Sequence, residues 1–244
     1  MPQRLQYLLL QIRNTDDLMR AHERKSFARV LDVSVENIQL FDLLTQDFQP
    51  AEYADIDIFL LGGSGHYSAA GEGASWLERA LSSLRRLHAS GKPVFASCWG
   101  FQAMARALGG RVTHDLEQAE IGTHHLTLTA AGMEDPVFGP LGKSFLGQMG
   151  HEDCVIELPP NCTLLASTER VKNQAYKFDN RPIYCTQFHP ELNCDDLLER
   201  VRTYPKYIEK IADMPVERFS ELIRETKESE DILRRFVRLF CREN

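Results

Sequence analysis

Four short apolar runs in the first half of the chain are separated by stretches of helical period, and this alternation restricts the fold more than any other feature. Tyr7–Ile12, Asn37–Leu43, Asp57–Leu61 and Pro93–Ser97 are too brief for buried helices. The apolar run Tyr7–Ile12 suits a strand covered on both faces. Asp16–Leu31 lies between the first two and reads as a helix, with Thr15 or Asp16 as its expected cap. Ser75–Ala89 sets Leu77, Leu81, Leu84 and Leu87 or His88 on one face, and Gly100–Leu108 is helical again. Strands alternating with helices predict an α/β fold: an open, mostly parallel sheet with helices on both sides.

From Gly110 to about His189 the pattern changes to short alternating runs. These are Thr123–Thr129, Val155–Leu158, Leu164–Ser167, Gln174–Phe178 and Ile183–Phe188. No linker rich in glycine, proline or serine precedes them, so they predict an antiparallel extension and not a second unit. Residues 1–192 are therefore expected to form one domain, with 193–244 a helical C-terminal tail packed on it. In that tail Ile232, Leu233, Phe236, Val237 and Phe240 make an apolar stripe at helical spacing.

Lys and Arg number 28 against 35 Asp and Glu, a formal charge of −7. That sign disfavours nucleic acid and anionic membranes as partners, but leaves room for a small anionic ligand in a local pocket. The apolar run near the start, Tyr7–Leu10, is too short for the core of a signal peptide. The six cysteines show no CxxC pairing and read as reduced thiols of a cytoplasmic protein.

The segment PVFASCWGFQAMARALGG, Pro93 to Gly110, carries the strongest chemical signal. A buried strand ends at Ser97, Cys98 falls on the turn, and a helix follows. Such an elbow holds the nucleophile clear of its own backbone at the carboxyl end of the sheet. Gly100 lets strand and helix approach without a Cβ, and the helix N-terminus favours the reactive thiolate. A base is offered by QFHPEL, where His189 and Glu191, two apart on an extended segment, point to one side. Glu191 then orients the ring, and the other nitrogen faces Cys98. The glycine-rich turn in FLLGGSGHYS, after another strand, reaches the same sheet edge. The N–H groups of Gly63 and Trp99 are the natural pair for an oxyanion; a plain turn that needs glycine is the alternative. It is not a phosphate loop, since GxxxxGK[ST] is absent.

Together these segments resemble the class I glutamine amidotransferases, most of all the amidotransferase domain of GMP synthetase and its free-standing bacterial relatives. The resemblance runs from about Asp55 to Glu191 and rests on LLGGSG, ASCWGFQAMA, MGHEDCVIELP and QFHPEL, in that order. It implies a flavodoxin-like fold and attack on the side-chain amide of glutamine through a γ-glutamyl thioester. In that comparison Cys98, His189 and Glu191 match the catalytic triad, while Gly63 and Trp99 match the oxyanion-hole positions. Gln102 matches a residue that holds the amino-acid end of the substrate; Gly150, His151, Glu152 and Asp153 match a stretch that contacts it. No cofactor is implied.

The chain also departs from the family pattern. Ser64-Gly65 replaces the usual proline of the glycine-rich turn, and His66 follows as a further candidate for substrate contact. Gly150 and Glu152 stand where serine and glycine are common, so Glu152 brings a side chain toward the amino-acid pocket. No SGGxDS nucleotide loop is present. Ammonia then passes to a separate synthetase, or the enzyme hydrolyses a γ-glutamyl bond outright, as γ-glutamyl peptidases in the family do. A non-catalytic binding or regulatory module on the same fold is the remaining reading. His124 and His125 point to opposite faces of a strand and make no metal site.

Overall fold

The apolar runs become the centre of a nine-stranded sheet in a computed structural model that describes residues 5–241. The strands are β1 (Tyr7–Gln11), β2 (Ile38–Asp42), β3 (Ile58–Leu61), β4 (Val94–Ser97), β5 (Arg111–His114), β6 (Glu120–Leu128), β7 (Ser144–His151), β8 (Asp153–Glu157), β9 (Cys162–Ser167), β10 (Ala175–Phe178) and β11 (Ile183–Thr186). The helices are α1 (Met19–Leu31), α2 (Ser75–Ser90), α3 (Trp99–Ala107), α4 (Ala130–Glu134), α5 (Cys194–Thr203), α6 (Pro205–Tyr207), α7 (Val216–Leu222) and α8 (Lys227–Phe240). The outermost ends of the two expected segments, 1–192 and 193–244, lie outside the described residues.

The sheet order is β2-β1-β3-β4-β11-β10-β9-β6-β7. Pairing is parallel from β2 through β11 and antiparallel from β11 to β7. The mostly parallel α/β sheet with an antiparallel extension is thus present. β8 lies apart from it, pairing with β5 in a separate two-stranded ribbon. The alternation of Val155–Leu158 shows a strand but not its partner, so that strand does not extend the main sheet.

Successive residues of the central strands serve two cores. Leu8, Leu10, Phe59, Leu61, Val94 and Ala96 face α2 and α3, where Leu77, Leu81, Leu84 and Leu87 meet them. Tyr7, Leu9, Ile58, Leu60 and Phe95 face the other way, toward Phe27 and Val30 of α1 and Ile232, Leu233 and Phe236 of α8. The tail stripe therefore closes one face of the sheet. Its three fully buried side chains contribute roughly 1.5–3 kcal/mol each.

α1 begins at Met19, later than the periodicity implies. Asp17, not Thr15 or Asp16, accepts the Met19 N–H at 2.8 Å. Leu18 is 76% exposed and joins no apolar face, which removes the support for an earlier start.

Candidate active site

β4 ends at Ser97, and the backbone then turns sharply enough to give Cys98 φ 51° and ψ −106°. A left-handed φ in a residue with a side chain stores about 1–3 kcal/mol of strain. Contacts on both sides hold it: the Cys98 N–H donates to Thr186 O at 2.8 Å, and the Gly100 N–H to Gly62 O at 3.1 Å. A Cβ on Gly100 would stand 2.5 Å from that of Leu61, so only glycine lets α3 leave the strand at this angle. Cys98 Sγ reaches the cleft and lies 3.6 Å from Gly150 O. Trp99 opens α3, so its N–H has no acceptor within the helix. Its indole is buried in the core beside Trp76.

β11 leads to the base. The His189 N–H donates to Gln148 O at 2.9 Å, which fixes the loop, and His189 Nδ1 lies 2.6 Å from Glu191 Oε1. Both side chains are buried. Burial alone would push the imidazole down. The charges of Glu191 and Cys98, with hydrogen bonds to both, outweigh it and raise His189 to about 9. The chain thus brings Cys98, His189 and Glu191 to one place, with the imidazolium form of His189 favoured there.

The glycine-rich turn after β3 arrives at the same edge, but its N–H is engaged. Gly63 N–H donates to Glu23 Oε1 at 2.9 Å, and a Cβ on Gly62 would run into that carboxylate. Glu23, on α1, is fully buried and pairs with the equally buried Arg13 at 3.2 Å. Burial pushes the Glu23 carboxyl up, yet the charges of Arg13 and Arg200 prevail and hold it below the usual carboxylate range. Arg200 comes from α5, in the tail. Arg13, Glu23 and Arg200 are site residues that motif reading did not find.

The remaining predicted positions divide. Gln102 Nε2 donates to Asp153 O at 2.9 Å and to Gln187 Oε1 at 3.2 Å, leaving its carbonyl oxygen for a ligand. Gly150 lines the cleft, with space around it. The His151 ring turns inward, Nε2 lying 3.2 Å from Glu120 Oε2. Asp153 Oδ2 accepts from Ser68 Oγ at 2.6 Å and from the Ala69 N–H at 3.0 Å, so it anchors the loop beyond the glycine-rich turn. Glu152 pairs with Lys210 of the tail at 3.5 Å across the cleft mouth. His66 is exposed on the rim, edge-on to Tyr204.

The cleft has a volume of about 410 Å³. One wall belongs to the tail: Tyr204, Lys206, Tyr207 and Lys210 all line it. The Tyr207 hydroxyl donates to Gly65 O at 2.8 Å, tying that wall to the glycine-rich turn. Among the described residues, no three metal-ligating side chains gather closely enough to hold a metal ion, and no helix is long and apolar enough to cross a membrane.

Comparison with known proteins identifies the family and the fold. The model of the family glutamine amidotransferase class-I matches residues 20–197. A GMP synthase (glutamine-hydrolyzing) from Xanthomonas axonopodis pv. citri is 29% identical over 73% of this chain, which spans only 34% of the synthase. Gamma-glutamyl peptidase 3 of Arabidopsis thaliana is 30% identical over 68% of this chain and 67% of its own length. Among solved structures, a glutamine amidotransferase from Thermotoga maritima superposes with a TM-score of 0.75 at 20% identity, covering 97% of both chains.

Proposed function

Since this chain belongs to the class I glutamine amidotransferase family, we propose that it cleaves a γ-glutamyl amide, of glutamine or a related compound, with Cys98 as nucleophile. The observation that carries this reading is the 2.6 Å contact from buried Glu191 to His189, set beside a thiol on a strained elbow. The Cys98 thiolate attacks the γ-carbonyl carbon, and the Trp99 N–H receives the oxygen as it gains charge. For Gly63 to add a second donor, its peptide must turn away from Glu23. The His189 imidazolium gives its proton to the departing nitrogen, which leaves as ammonia or an amine. Water then attacks the γ-glutamyl thioester while His189 takes its proton, and glutamate is released with the thiolate restored. Glu191 keeps the ring in orientation throughout, and Gln102 holds the amino-acid end of the substrate.

The tail wall supports a second reading, hydrolysis of γ-glutamyl peptides or amines. Lys206 and the Glu152–Lys210 pair give the cleft charged surface at its mouth, with His114 beside them. A leaving group larger than ammonia would meet them. Transfer of ammonia to a separate synthetase remains the alternative fate of the product.

Glutamate release from glutamine, glutathione and a series of γ-glutamyl amines, followed by mass spectrometry, tests both readings. Turnover that survives Cys98→Ala rejects the nucleophile. Release from glutamine alone favours ammonia supply, and release chiefly from peptides or amines favours a free-standing hydrolase.

A further inference from the structure

Arg200 is placed where the reaction as proposed has no stated use for it. It is 8% exposed and projects from α5 between the two buried carboxylates of the site. Its Nη2 lies 3.6 Å from Glu191 Oε1 and 3.6 Å from Glu23 Oε1. Neither its Nε nor its Nη2 has a hydrogen-bond partner among the described residues. Glu191 Oε2 is likewise without one. A buried guanidinium with unused donors is costly, and its charge acts on whatever stands nearest.

What stands nearest is the base. Arg200 Nη1 lies 3.3 Å from His189 Nδ1. The proton on Nδ1 is directed to Glu191 Oε1 at 2.6 Å, so Nδ1 has no lone pair with which to accept from Arg200. The contact is therefore one of charge: a fixed cation against the edge of a ring that becomes a cation.

Four charged groups contact or act on the ring among the described residues. Glu191, on the same loop, and the Cys98 sulfur, from the elbow, favour the imidazolium. Arg13, from the segment after β1, comes within 3.5 Å of the point where a Gly63 Cβ would sit, 3.3 Å from the His189 ring. Arg13 is itself paired twice with Glu23, so the two largely cancel. Arg200 is shared between Glu23 and Glu191 at 3.6 Å each, so it stands as a cation against His189 and as a rival for its carboxylate.

We infer that Arg200 is a positioning residue that weakens the hold of His189 on its proton, so that the imidazolium can surrender it to the departing nitrogen. A thiolate beside a buried carboxylate would otherwise keep the ring protonated and make it a poor acid. Arg200 opposes both charges and takes up Glu191 once the proton has gone. The inference rests on the reading of Cys98 and His189 given above.

The test reads His189 directly, by NMR titration of its ring in the full chain. The wild type is compared with Arg200→Gln and Arg200→Lys. Removing a neighbouring positive charge favours the protonated form, so the midpoint should rise by about one unit in Arg200→Gln. It should rise less in Arg200→Lys, which keeps the charge but lacks the planar fork. If Arg200→Gln does not fold, Arg200→Met, which also removes the charge, carries the test and should give the same rise. An unchanged midpoint overturns the inference. This readout needs no substrate, so it stands apart from any failure to find γ-glutamyl turnover.

Leaving-group dependence supplies the second readout. For a γ-glutamyl alkylamide, whose nitrogen must be protonated to depart, kcat/KM should fall at least ~10-fold in Arg200→Gln. For a γ-glutamyl thioester, which needs no such proton, the change should stay within about two-fold. An equal loss on both substrates indicates a structural role and overturns the inference.

Discussion

Among the described residues two groupings of cysteine, histidine and glutamate can be compared, and only one of them opens to the cleft. At the cleft stand Cys98, His189 and Glu191. In the interior, Cys154 Sγ lies 3.8 Å from His151 Nδ1, and His151 Nε2 lies 3.2 Å from Glu120 Oε2. The residue types and contacts are alike; the backbone beneath them is not. Cys154 sits within β8 and is wholly buried. Burial and then the nearby carboxylates push its thiol up to about 12, so it keeps its proton. The ring nitrogen facing it also lies 3.2 Å from the Asp153 carbonyl oxygen, so the thiol shares that nitrogen with a backbone acceptor. Cys98 is raised on a strained turn, open to the cleft, before a helix N-terminus. Residue identity supplies the groups, and backbone placement decides whether they can act.

The most severe way to break this contrast is to remove each thiol in turn. Cys98→Ala should cut glutamate release by ~10⁴-fold or more, while Cys154→Ala leaves it within about two-fold. Comparable losses from both would abolish the distinction. Labelling sharpens it next: in the folded protein, iodoacetamide should modify Cys98 roughly 100 times faster than Cys154. Peptide mapping after a timed quench reads the two rates, and denaturant should erase the difference.

The carboxylates separate the two groupings in kind. Glu191→Gln should lower kcat roughly 100-fold with a smaller change in KM, because it disturbs the orientation of the base. Glu120→Gln should leave kcat alone and instead cost about 1–3 kcal/mol in denaturant unfolding, by disturbing buried hydrogen bonds.

The gentlest probe is pH. His189 is raised to about 9, so its contribution to stability is complete below its unfolded value near 6.5 and lost as pH rises through 9. Glu120 responds in the opposite sense. Burial pushes it up, but His151 and Thr168 bond it strongly enough to hold it below its ordinary value. Its contribution is complete above its unfolded value near 4.5 and is lost as pH falls through the lower folded one. Melting temperatures should therefore fall on the alkaline side in wild type and less so in His189→Ala. The acid-side fall should be blunted in Glu120→Gln.

The grouping of Cys98, His189 and Glu191 at one sheet edge could be read from sequence because its signals are local. A strand, a cysteine, one residue and a glycine can hardly be anything but an elbow, and HPE places its two side chains by backbone alternation alone. The network of Arg13, Glu23 and Arg200 has no such signature, since its members come from three separate elements. A trace was there: Glu23 interrupts the apolar stripe Met19, Phe27 and Val30, and a carboxylate on a buried helix face needs a cation from elsewhere. β7 and β5 were also hidden. SFLGQMGH is broken by glycines and RVTH is half exposed, so tertiary pairing and not propensity makes them strands.

The positive φ at Cys98 sets stability against reactivity at a single residue. Glycine there would adopt the same backbone without strain, so Cys98→Gly should melt higher than the wild type while forming no thioester. A chain relieved of catalysis would gain stability from glycine at this position. Whether position 98 holds a thiol or a hydrogen atom is thus a record, kept in the backbone, of whether the elbow is still in use.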